Sequence, residues 1–296
     1  MTDITKKQEQ ENSSSTIMSN KNVSNKNVSD NQHRELLIEL KDMSIRTHQR
    51  VLVKDVNVEI EASKVTALCG PSGSGKSLTA RAIMGVLDVA PGLVCGSLRY
   101  PGLTSQYISS ISTSSFANLS DEELANRDWF ADVRGNGMGA QKKLLEETRA
   151  FRGSYFTYSP QSASSALNPG RTIGHQLQMA INRRATPPAD VSSEMIRILS
   201  EVGLRPSAAA SLPSELSGGM CQRAALAIAV APKPKLVIAD EPETGLDPVL
   251  RRGVVELLIR VCRQNNAGLL LISHHEETVD RIADRVVRLR PQSLEV

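Results

Sequence analysis

Paired cysteines, long apolar runs and charge of one dominant sign are all missing from this chain of 296 residues. Its four cysteines, Cys69, Cys95, Cys221 and Cys262, fall in no CxxC or zinc-ligand spacing, which argues against a disulfide framework or a structural metal. They read as reduced thiols of a cytosolic protein. No apolar run approaches the roughly 18 to 20 residues that span a bilayer, and the first residues carry no signal-peptide core. Any membrane role is therefore expected to run through a partner. The formal charge of +3 is small for this length, and basic residues are interspersed with acidic ones, so composition leaves no nucleic-acid footprint. Sustained heptads are absent as well, which excludes a long coiled coil.

What remains is 40% hydrophobic, enough for one large domain with a subdomain. Residues 1–34 are Ser, Asn, Lys and Gln with SNKNV repeated in tandem, too polar to offset their ordering entropy, and are expected to form a disordered tail. From Leu36 the pattern changes. LLIELKDMSI and VLVKDVNVEI alternate apolar with polar and predict an antiparallel strand pair within about 35–68. VTALC then runs into a glycine-rich turn, followed by a helical stretch with Leu78, Ala82, Ile83 and Val86 on one face. LVIAD and GLLLIS, separated by a helical segment, predict two buried parallel strands. The section from about 101 to 152 is Ser-rich, with one amphipathic piece opened by a Ser120 to Glu123 capping pattern, and is expected to be an insertion of uncertain order. The fold class that follows is α/β.

GPSGSGKS, Gly70 to Ser77, fits G-x-x-x-x-G-K-[ST] between a buried strand and a helix. Gly70, Pro71, Ser72, Gly73, Ser74, Gly75 and the following Leu78 build a loop whose N–H groups wrap phosphates. Lys76 reaches the β and γ phosphates and Ser77 ligates magnesium. Alone this motif says only that a nucleotide is bound. LVIADE adds Asp240, placed to hold Mg²⁺ through its water shell, and Glu241, a carboxylate able to polarise the attacking water. LSGGMCQR, 216–223, holds no nucleophile and base; a serine and two glycines at a helix start present N–H groups and a positive dipole end to an anion.

Taken in order, Gly70 to Ser77, Gln161, LSGGMCQR, LVIADEP, the GLD of 245–247 and the ISH ending at His274 resemble an ABC-type ATPase over about residues 35–290. LSGG-x-QR shortly before a strand ending in Asp-Glu is the specific part. The resemblance implies a P-loop NTPase (RecA-like) core, an N-terminal antiparallel β-subdomain and a helical subdomain within about 162–224. It implies ATP and Mg²⁺, and two ATPase subunits dimerised head to tail. Ser217, Gly218 and Gly219 then donate to the γ phosphate held by the other subunit, while Gln222 and Arg223 buttress the segment. Gln161 is the expected sensor of metal and water, Asp247 sits at the dimer seam, and His274 contacts the γ phosphate.

SASSALNPGRTIGHQL, after Gln161, is similar to the tract of the peptide and nickel importer branch, and a chain of this length resembles its shorter nickel-type subunit. That implies a heterodimeric partner ATPase, membrane permeases, an extracytoplasmic solute-binding protein acting indirectly, no nucleic acid, and a place on the cytoplasmic face of the membrane. The readings kept beside it are a soluble ABC ATPase of DNA repair or translation and a nucleotide-gated binding module with little turnover. Three departures stand out: no aromatic residue for adenine in RTHQR, where His48 is the weak candidate, a carboxylate at Glu243, and His275 after the switch histidine.

Overall fold

The computed structural model describes residues 35–111, 116, 118–161, 166–244 and 248–291. The polar tail of 1–34 and Asp247 lie outside them. The first two strands, β1 (Leu36–Thr47) and β2 (Val51–Glu61), form the expected antiparallel pair. Between Lys41 and Met43 the register slips, with Asp42 at a left-handed φ of 49°, so the inward face changes partway along β1.

After β3 (Val65–Cys69), α1 (Lys76–Ile83) begins beyond Gly75 and is closed by Gly85. Gly85 sits at a φ of 69°, and the Val86 N–H returns to the Arg81 carbonyl, a glycine stop that leaves Val86 outside the helix whose face it was expected to extend. The next strand, β4 (Pro91–Arg99), pairs antiparallel with β1 and gives the sheet the order β2-β1-β4. The antiparallel sheet thus takes a third strand from outside 35–68.

The section from 101 to 152 is built into the core and is no loose insertion. It carries α2 (Ser105–Ser110), α3 (Asp121–Asn126) and α4 (Gly137–Glu147), and Ser120 and Glu123 make the predicted capping box. Trp129, Phe130 and Phe151 are each 3% exposed or less. The Trp129 ring lies 5.3 Å from those of both Tyr100 and Phe151, and the Tyr100 hydroxyl donates to the Ile83 carbonyl at the end of α1 over 2.6 Å. Aromatic burial of this kind outweighs weak local periodicity.

β5 (Phe156–Ser159), β6 (Leu236–Asp240), β7 (Gly268–Ser273), β3 and β8 (Arg285–Arg288) form a parallel sheet in the order β5-β6-β7-β3-β8. Its faces are covered separately. Leu236, Ile238, Leu270 and Ile272 join the cluster of the antiparallel sheet and the aromatic section, whereas Val237, Ala239, Leu269 and Leu271 join the cluster of the helices. Those helices are α5 (Ile173–Ile181), α6 (Val191–Glu201), α7 (Gly218–Val230) and α8 (Pro248–Gln264); α9 (Glu276–Ile282) packs Val279 against Ala67 and Cys69 of β3. The architecture is the expected α/β one.

Candidate active site

In an open parallel sheet the carboxyl ends of the strands form the ligand crevice. Here the ends of β3, β6 and β7 lie side by side, because Cys69 pairs with Ser273 and Asp240 with Ile272. The cleft above them has a volume of about 550 Å³; Ser72, Gly73, Lys76, Ser77, Asp240 and Glu241 are among the residues lining it, as are Gly75, Leu78 and Gln161.

The loop from Gly70 to Gly75 curls against β2. At Gly75 the φ is 92° and a Cβ would fall 2.4 Å from Val53 Cγ2, so glycine alone fits there. Lys76, 6% exposed, donates to the carbonyls of Gly70 (2.8 Å) and Pro71 (3.0 Å), which folds the loop over its own ammonium. The Ser74 hydroxyl is buried without a partner at the same loop.

Glu241 follows β6 in a left-handed conformation, φ 46°, held by its N–H to the Ile272 carbonyl at 2.9 Å. A non-glycine residue pays for that backbone only where its surroundings impose it. Its carboxylate is the meeting point of the site. Gln161 Nε2 donates to one oxygen over 3.0 Å, the Thr244 hydroxyl donates to the same oxygen over 3.2 Å, and His274 Nδ1 lies 3.3 Å from the other. Gln161, Glu241 and His274 are thereby brought together.

Asp240 is 7% exposed, and the Tyr158 hydroxyl donates to its Oδ2 over 2.8 Å. Burial and the Asp240 carboxylate push the Tyr158 phenol well above its ordinary value, so it remains a donor at neutral pH. Nothing in the sequence singled Tyr158 out. Ser77, Asp240 and Gln161 present oxygen donors, the set a hard cation such as Mg²⁺ takes, and Gly73 and Gly75, both at positive φ and both lining the cleft, suit a phosphate cradle.

The signature segment lies elsewhere. Ser217 caps α7, its Oγ accepting from the Met220 N–H at 3.3 Å, and no atom comes within 4 Å of where a Cβ on Gly218 or Gly219 would stand. None of Ser217, Gly218 and Gly219 lines the cleft. Gln222 points inward, donating to the Pro242 carbonyl over 2.8 Å.

The departures resolve as follows. Thr47 accepts with its hydroxyl from the N–H groups of Gln49 and Arg50 in the hairpin turn, and His48 is not among the residues lining the cleft, whereas Arg50, Val51, Leu52 and Pro291 are. Glu243, 4% exposed, accepts from the Ser273 hydroxyl over 2.5 Å, and the same hydroxyl accepts from the His275 N–H over 3.1 Å. The His274 and His275 rings lie 4.1 Å apart, yet among the described residues no group of three or more His, Cys, Asp or Glu side chains is placed to hold a metal.

The sequence profile described as ABC transporter matches residues 53–244. A peptide import ATP-binding protein of Brucella ovis is 33% identical over 247 residues, covering 82% of this chain and 64% of its own length. The dipeptide transport ATP-binding protein DppD of Escherichia coli is 30% identical over 79% of this chain and 62% of its own. This chain therefore spans less than two thirds of these relatives. Among solved structures, cbiO1 from Clostridium perfringens, part of the ABC transporter complex cbiONQ, shares the fold with a TM-score of 0.61 at 18% identity, covering 86% of each chain. An ATP-binding subunit of an ABC transporter does so with a TM-score of 0.58 at 23% identity, covering 87% of this chain and 88% of that one.

Proposed function

Because the chain belongs to the ABC transporter family, we propose that it is an ATP-binding and ATP-hydrolysing subunit of an importer for peptide-like substrates. The observation that carries this reading is the convergence of Gln161 and His274 on Glu241, beside Asp240 and above the phosphate loop. Bound Mg·ATP supplies a phosphoanhydride whose charge the metal neutralises.

The chain's own groups do the rest. The loop N–H groups and Lys76 would bind the β and γ phosphates, while Ser77, Asp240 and Gln161 would hold the magnesium. Glu241 takes the proton of the attacking water. Gln161 and His274 keep that carboxylate aimed, and His274 is set to touch the γ phosphate.

Ser217, Gly218 and Gly219 face outward from the cleft of their own chain, which suits donation to the γ phosphate held by a second subunit. Asp247 belongs at that seam on the resemblance. The second ATPase is proposed to be a paralogue, giving a heterodimer, and the helical subdomain to pass its movement to membrane permeases. Among the described residues no helix is long and apolar enough to cross a membrane, and a peripheral place on the cytoplasmic face is proposed from the family resemblance. The relatives are named for peptide and dipeptide transport, so peptide takes precedence over nickel as the proposed cargo class.

The test is co-purification from membranes followed by ATPase assay of the complex with and without its binding protein and a peptide mixture. Permeases in the complex and peptide-stimulated turnover support the reading. Full-rate hydrolysis by a strict monomer would overturn it.

A further inference from the structure

Tyr158 belongs to two neighbourhoods at once. Its hydroxyl is on Asp240, and its ring, 37% exposed, lines a groove of about 470 Å³ at the seam between the core and the helical subdomain. Met84 and Val86 form part of the core wall of that groove, and Met179 and Ala180 of α5 part of the opposite wall. Met179 is half exposed, so this seam is incompletely filled.

A carboxylate as buried as Asp240 needs donors for its oxygens. A phenol donating to Oδ2 fixes the plane of the group and with it the direction in which the other oxygen points. Since the same ring packs in the seam, a shift of α5 against the core alters the surroundings of the side chain that sets that plane. Tyrosine has two rotatable side-chain bonds before its ring and hydroxyl, so the two ends move together.

We propose that Tyr158 is a positioning residue for Asp240 that couples packing in the seam to the binding of the nucleotide-associated metal. This rests on the proposed reading of Asp240 as the carboxylate that holds magnesium. Gln161 lies on Glu241, so the two carboxylates have separate positioning partners.

The experiment uses the full chain loaded with a non-hydrolysable ATP analogue, with Mn²⁺ as the probe and free Mn²⁺ read by electron paramagnetic resonance. Tyr158→Phe is expected to weaken Mn²⁺ binding about tenfold, the low end of the effect of one hydrogen bond to a charged group. Analogue binding in EDTA and the thermal melt are expected to be unchanged. Unaltered or tighter Mn²⁺ binding by Tyr158→Phe overturns the proposal. Asp240→Asn separates the two layers: it should weaken Mn²⁺ by more than Tyr158→Phe does, and no effect there overturns the reading of Asp240 itself.

The seam is tested with Met179→Trp, which fills exposed groove volume. It is expected to change Mn²⁺ affinity at least twofold in the Tyr158 protein and not in the Tyr158→Phe background. Equal effects in both backgrounds overturn the coupling.

Discussion

The side-chain amide of Gln222 donates to the carbonyl of Pro242 over 2.8 Å, tying the helix that presents Ser217, Gly218 and Gly219 to the turn that follows Asp240 and Glu241. Gln222 is 7% exposed, so the bond is sheltered from water. The outward-facing tip of α7 and the turn after β6 are thus joined directly. Gln222→Ala is expected to leave the carbonyl without that donor and to cost about 1–3 kcal/mol, read as a lowered urea midpoint at unchanged slope.

Glu241→Gln keeps the shape of the side chain and removes its basicity. Nucleotide binding by fluorescent ATP titration should persist while turnover falls by about two orders of magnitude or more, as loss of a general base predicts. Undiminished hydrolysis would take Glu241 out of that role.

Lys76 both closes the phosphate loop and offers its charge to the cleft. Lys76→Ala should abolish measurable ATP binding in the same titration. Circular dichroism should show the fold retained, because the loop lies on the surface of a sheet covered on both faces.

Helix α6 carries an acid-sensitive ion pair. Hydrogen bonds from Arg197 and then from Arg184 hold the Glu194 carboxylate down at about 2 against an ordinary value of 4.5, and Arg184 and Glu194 are 7% and 13% exposed. A depressed folded-state value means stabilisation that is complete above about pH 4.5 and is lost as pH falls toward 2, on the order of 3 kcal/mol by linkage. Glu194→Gln should lower stability at neutral pH and flatten the acid limb over that window in pH-dependent urea melts.

Phe130 is fully buried among the aromatic side chains of the 101–152 section. Phe130→Ala should cost about 3–5 kcal/mol, the price of an unfilled aromatic cavity. Were that section a detachable insertion, the melt would barely move.

Much of the fold was legible because its signals are local. Alternation in β1 and β2, full apolarity in LVIAD and GLLLIS, and the glycine spacing of the phosphate loop each reflect the surroundings of a few consecutive residues. β4 was not legible. It carries Pro91 and two glycines at positive φ, Gly92 and Gly96, residues that ordinarily punctuate strands. In the 101–152 section α3 announces itself through the Ser120 to Glu123 capping pattern, whereas α2, six residues long, is too short for a periodic face to declare itself. In the turn before β2, only the hairpin geometry decides that Arg50, Val51 and Leu52 line the cleft and His48 does not.

The sequence by itself determined which chemical groups are present and the backbone that carries them, since a glycine-rich turn before a helix and carboxylates after a buried strand are dictated by neighbours along the chain. Tertiary structure decided which of those groups meet. Gln161, Glu241 and His274 converge, and Tyr158 finds Asp240, because β5, β6 and β7 are adjacent in the sheet. That order is set by burying two apolar faces at once, a requirement of the whole molecule that no single segment records.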